Sequence, residues 1–222
     1  MCGRFAFYSP SEATAALFGV HASTEVVPRY NIAPTQFIAA LRNDEENSPE
    51  LAMLRWGLVP FWAKDPSIGN RMINARAETV AEKPSFRNAY KKRRCVILAD
   101  GFYEWRKEAD GKTPYFISLA DGSPFAFAGL WEDWSSKDTD ESLQTTAIIT
   151  TAASDFMAQL HHRMPVIVRP ELVSRWLGGD PQLLSEAIGN PPDFRAWPVD
   201  RRVNNARNEG TDLIERAGEI VS

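Results

Sequence analysis

The chain has 222 residues, 44% of them hydrophobic, and 25 Lys and Arg against 29 Asp and Glu give it a formal net charge of -4. That length supports one domain with a sizeable core, taken here as residues 1–222, and the acidic balance excludes nucleic-acid coating through bulk charge, so phosphate binding would need a local cluster. Two cysteines and three histidines are too few for a disulfide framework or a zinc site, so neither cofactor nor metal is expected.

Residues 3–8 (GRFAFY) have the aromatic content of a short strand. A helix is predicted next, with Ser9 as N-cap, Pro10 at the first helical position, Glu12 completing a capping box and Gly19 at the end. Strand-like runs follow at 36–42, 51–57, 95–101, 102–107, 114–120, 125–131, 145–151 and 165–169. Helical patterning is confined to short pieces at 74–83, 84–94, 154–161 and 170–179. Turn chemistry at 110–112 (DGK) and 120–124 (ADGSP) predicts a local antiparallel meander, and the acidic stretches 43–50 and 132–142 read as exposed loops. Strands do not alternate with long helices, so the expected fold is α+β, with a mixed, mainly antiparallel, barrel-like β core and peripheral short helices. The first thirty residues lack a basic stretch followed by an apolar one, and no run approaches the roughly 18 apolar residues of a bilayer span; a cytoplasmic protein without a membrane partner is expected.

Cys2 stands out among the reactive residues. Trimming of Met1 would free its α-amine and make it a 1,2-aminothiol. The reference pKa values, roughly 7.7–8.0 for the amine and roughly 8.5 for the thiol, leave part of each nucleophilic near neutrality. Such a pair can attack one carbonyl carbon twice, first as an imine and then as a five-membered thiazolidine. With an ester or amide as target, the same thiol would act as an N-terminal-nucleophile hydrolase. The bland reading is a small buried hydrophobe at a strand start.

In 102–107 (FYEWRK) the period of two puts Phe102 and Glu104 on one face, with Tyr103 and Trp105 on the other. Glu104 either points to solvent or pairs with an arginine, or it is enclosed by rings, where desolvation would raise its pKa and let it carry protons near pH 7. In 160–166 (LHHRMPV) at most one of the adjacent histidines is expected at a given site, and Arg163 beside them suits a carboxylate or a phosphate. Asn74 with Arg71 and Arg76 makes a weak anion-site signal that surface charges would equally explain, and the 91–94 run (KKRR) reads as a solvated helix end. Trp56 and Trp62 read as core, with base stacking the alternative.

The stretches MCGRF, RYNIAPTQ (29–36), RWGLVPFW (55–62), NARAET (74–79), RRCVILADGFYEW (93–105), AIITTAA (147–153), HHRMPVIV (161–168) and VNNARNEG (203–210) together resemble the SRAP family, the SOS response-associated peptidases or abasic-site processing proteins. They run in family order over nearly the whole chain. The resemblance implies capture of abasic sites in single-stranded DNA as a covalent protein–DNA crosslink, at the nucleoid in a bacterium and by a monomer. It makes Cys2 the nucleophile after Met1 removal, Asn74 a positioning group, Glu104 a proton shuttle and His161 an acid–base partner; His161 is preferred to His162 by the pattern H-x-R-x-P. Thr150 aligns with a further active-site position. Gly3, Arg4, Trp62, Arg71, Arg76 and Arg163 are implied at the DNA, with Arg4, Arg76 and Arg163 on phosphates. Leu98 stands where many relatives have Pro, a packing difference. A thiol peptidase or amidohydrolase, and a noncovalent binder of single strands, remain as alternatives at this stage.

Overall fold

The structure, a computed structural model, describes residues 2–20, 25–44, 46–109, 111–136 and 138–221. In chain order the elements are β1 (Phe5–Phe7), α1 (Ser11–Leu17), β2 (Arg29–Ile32), β3 (Phe37–Asn43), β4 (Pro49–Trp56), β5 (Asn74–Arg76), α2 (Arg87–Lys92), β6 (Arg94–Ala99), β7 (Gly101–Glu108), β8 (Gly111–Leu119), β9 (Phe125–Ser135), β10 (Ser142–Ala152), α3 (Asp155–Ala158), β11 (Arg163–Pro165), β12 (Ile167–Val168), α4 (Val173–Leu177), α5 (Leu183–Gly189) and β13 (Phe194–Pro198). The fold is α+β. Pairings β10–β4, β4–β3, β3–β6, β6–β9 and β9–β10 close a ring of five strands, parallel only at β4–β10. Closure leaves these strands no free edge. A second, antiparallel sheet runs in the order β13-β8-β7-β1-β2.

Apolar side chains join the two layers. Phe5 of β1 meets Trp56 at 5.3 Å and Phe127 at 5.6 Å between ring centroids, both edge-to-face, while Phe102 of β7 packs on Phe125, Phe127 and Phe194. The alternation expected in β7 holds: Phe102 faces the main core, whereas Tyr103 and Trp105 join Phe116 and Trp197 in a smaller cluster on the other face. The chain crosses from barrel to sheet at Asp100, whose carboxylate accepts the backbone N–H groups of Tyr8 at 2.6 Å and Ser9 at 2.8 Å as well as the Ser9 hydroxyl. Gly101 follows because a Cβ there would lie 2.1 Å from the Phe116 ring.

Several local expectations change. The Ser9 hydroxyl is turned to Asp100, so α1 starts at Ser11 with no side-chain cap. Residues 74–76 form strand rather than helix, because their backbone pairs in parallel with Ile148–Thr150 of β10. Of the acidic stretch 132–142, residues through Ser135 belong to β9, with Glu132 and Trp134 buried; Lys137 lies outside the described residues. β7 and β8 form the expected hairpin, whose Asp110 lies outside the described residues, but the turn at 120–124 hands the chain from sheet to barrel, so no meander forms. β2, β13 and α5 were not anticipated.

Candidate active site

Cys2 lies three residues before β1, and β1 is held on β7 by the pairs Phe5↔Phe102 and Ala6↔Gly101. The Tyr103 N–H donates to the Arg4 carbonyl at 2.9 Å, so the register continues outward and sets Gly3 opposite Glu104. On the other flank the Asn74 Nδ2 donates to the Cys2 carbonyl at 2.8 Å. The Cys2 main chain is thereby fixed between β7 and β5. Its side chain is fully buried, and its thiol pKa is pushed well up, first by burial and then by the negative field of Glu104, against a hydrogen bond from the Arg4 backbone. Burial thus favours the neutral thiol over the thiolate.

Glu104 is 3% exposed, and burial raises its carboxyl pKa, while the His162 ring and the Trp105 backbone pull it back. Of the readings open at the sequence level, the solvent-facing one is excluded by this burial. A carboxyl whose pKa is raised by burial keeps its proton to higher pH than an ordinary glutamate does.

β10 gathers the remaining candidates. One edge carries β9 and then β11, the other β4 and then β5, so Thr150 lies between Arg76 of β5 and Pro165 of β11. Thr150 is buried, and its carbonyl accepts from the Arg163 Nη2 at 2.7 Å. The Arg163 backbone N–H donates to the His161 Nδ1 at 3.0 Å, and the His161 and His162 ring centroids lie 4.3 Å apart with the planes tilted by 30°. Burial lowers the His161 pKa, and His161 in turn lowers that of exposed His162, so both favour the neutral imidazole. The pair sits in the loop between α3 and β11 rather than on a helix end.

The DNA-directed candidates divide. Arg76 and Arg71 are exposed, and Trp62 is 47% exposed beside Phe61 at 52%, so Trp62 is surface rather than core while Trp56 is buried. The segment carrying Trp62 and Arg71 is tied to the barrel by a backbone crossing at which a Cβ on Gly57 would come within 2.5 Å of the Gly69 carbonyl oxygen; Gly57 also has φ +128°. Arg4 is only half-buried, but its Nη1 is committed inward, to the Asn31 Oδ1 at 2.7 Å and the Val203 carbonyl at 2.8 Å. Arg163 is also engaged, in a two-pronged pair with Glu78 at 2.6 and 3.0 Å. Gly3 is half-buried.

Sequence reading passed over Asn31 and Glu78, and it set aside His162, whose field reaches Glu104. Asn31 is fully buried, accepts from Arg4 and donates to the carbonyls of Val203, Asn205 and Asn208, tying the 203–208 segment to the strand that carries Cys2. Its signal was a lone amide within the RYNIAP stretch. Among the described residues no three His, Cys, Asp or Glu gather as a metal site, and no helix is long and apolar enough to cross a membrane.

The family model described as SOS response associated peptidase (SRAP) matches residues 1–206. The chain is 42% identical over 224 aligned residues to the abasic site processing protein YoqW of Bacillus subtilis (strain 168), covering 97% of this chain and 99% of that protein. It is 31% identical to the abasic site processing protein YedK of Escherichia coli (strain K12), over 97% and 99% of the two chains. A crystal structure of a protein from Bacteroides thetaiotaomicron superposes with a TM-score of 0.86 at 26% identity, covering 97% of this chain and all of that one. With a matched model over most of its length, full-length relatives and a shared architecture, the chain belongs to the SRAP family.

Proposed function

We propose that this protein processes abasic sites in single-stranded DNA by forming a thiazolidine crosslink through Cys2 once Met1 has been removed. The observation that carries the reading is the convergence on Cys2 of the buried Glu104 carboxyl and the Asn74 amide. The freed α-amine adds to C1 of the ring-opened sugar, and loss of one water gives the imine. The sulfur then adds to the same carbon, its proton passes to the nitrogen, and the ring closes; the net change is one water released. Protonated Glu104 suits the step in which hydroxide must leave as water, and neutral His161 suits the ring-opening proton transfer. Thr150 braces the Arg163 loop, and Asn74 holds the carbonyl of the reacting residue. Gly3, Arg71, Arg76 and Arg163, with Trp62 for base stacking, would receive the strand, whereas Arg4, whose Nη1 is spent on Asn31 and Val203, supports the site from within instead of meeting a phosphate.

The elevated Cys2 thiol fits this order of events, in which amine attacks first and sulfur second, better than a thiol peptidase, which needs a thiolate at the outset. The experiment mixes the protein with a single-stranded oligonucleotide carrying one abasic site. The expected product is a denaturation-resistant band whose mass is protein lacking Met1 plus DNA minus one water, absent with Cys2→Ala. A Cys2→Ala variant that crosslinks as well as wild type would falsify the reading.

A further inference from the structure

Arg163 and Arg76 lie on the two strands that flank Thr150, and the carboxylate of Glu78 sits in their joint field. Glu78 grips Arg163 through both oxygens, with Oε1 on Nη1 at 2.6 Å and Oε2 on Nη2 at 3.0 Å. The Arg163 side chain is 12% exposed, whereas that of Glu78 is 48% exposed. The accessible face of this guanidinium is thus closed by a solvent-facing anion with the fork geometry that a phosphate also offers. Arg163 is anchored from behind by the Thr150 carbonyl at 2.7 Å, so it cannot swing away to find a phosphate elsewhere.

We propose that Glu78 is an internal competitor for the DNA backbone: it occupies the phosphate position on Arg163 in the free protein, and a strand must displace it to engage Arg163. This rests on the reading of the surface around Arg76 and Arg163 as a single-strand site. Displacement makes the first phosphate contact an exchange of one anion for another, which weakens binding to undamaged strands and leaves affinity to be decided by additional contacts at the lesion.

The test measures equilibrium binding of a fluorescein-labelled twelve-residue oligothymidine without abasic sites, by anisotropy over a series of KCl concentrations. Glu78→Gln is expected to bind about five-fold more tightly at low salt. Its log Kd against log salt should steepen by about 0.7, one additional phosphate contact on a single strand. Glu78→Asp, which keeps the charge, should bind like wild type, and in an Arg163→Gln background the gain from Glu78→Gln should vanish. Binding by Glu78→Gln no tighter than wild type, or a gain of equal size without Arg163, would overturn the proposal. Because the probe cannot crosslink, failure here leaves the Cys2 chemistry untouched, and failure of the Cys2→Ala test leaves this measurement interpretable.

Discussion

Two glutamates lie equally deep in the molecule and have opposite surroundings. Glu132 on β9 is 1% exposed and Glu104 on β7 is 3% exposed, and burial raises the pKa of both. Glu132 is closed by Arg93 at 2.7 Å, with Asn88 at 3.4 Å, and nearby Trp131 is covered by Arg42 at 4.1 Å. Glu104 shares its surroundings with a thiol and the field of a histidine. Burial alone therefore does not make a carboxylate reactive. A neighbouring guanidinium makes Glu132 a structural tie, whereas on the proposed reading Glu104, beside the Cys2 thiol, moves a proton.

Neutralising each carboxylate should separate the two roles most strongly. Glu104→Gln is expected to slow crosslinking about 100-fold with little change in affinity for an intact strand, measured by single-turnover gel assay and anisotropy. Glu132→Gln should leave crosslinking unchanged and cost about 1–3 kcal/mol in denaturant unfolding, because Arg93 loses its partner. A crosslinking defect in the second variant as large as in the first would erase the distinction.

The pH dependence sharpens it. A carboxyl whose folded pKa is raised stabilises the fold fully below its unfolded value of about 4.3, and that contribution is lost as pH rises through the folded pKa. Wild type should therefore lose stability relative to Glu104→Gln as pH rises from the unfolded value through the raised folded pKa, read from denaturation midpoints. Crosslinking by wild type should fall over the same rise, as Glu104 loses its proton, and the Glu104→Gln rate should lack that limb.

Aromatic neighbours extend the contrast. Trp62→Ala should weaken intact-strand binding about ten-fold without lowering the melting temperature, since Trp62 is half in solvent. Trp131→Ala should do the reverse, lowering the melting temperature through loss of the Arg42 stack. The smallest effects belong to the asparagines: Asn74→Ala should slow crosslinking several-fold by releasing the Cys2 carbonyl, and Asn88→Ala should cost less than about 1 kcal/mol of stability.

Much of this was legible in the chain itself. Period-two alternation placed Phe102 and Glu104 on one face of β7 correctly, because the pleat obliges successive side chains to opposite sides. The motif set by itself resembles the family to which the chain belongs. The acidic run at 132–135 was misread because composition reports average solubility, whereas Glu132 is buried through a partner 39 residues earlier in the chain. Residues 74–76 were misread as helix because Ala, Arg and Glu nearby favour one, and pairing with β10 overrides so weak a preference.

Sequence alone determined the periodicity of the strands, the aminothiol potential of residue 2 and the inventory of side chains able to move protons or hold phosphate, since these follow from residue chemistry and local spacing. Tertiary structure decided that Glu104 is enclosed, that Arg4 turns inward to Asn31, and that Arg163 is held by Glu78. Each of those outcomes depends on groups far apart in sequence meeting in space, and a pKa or a free charge is a property of that meeting rather than of the residue.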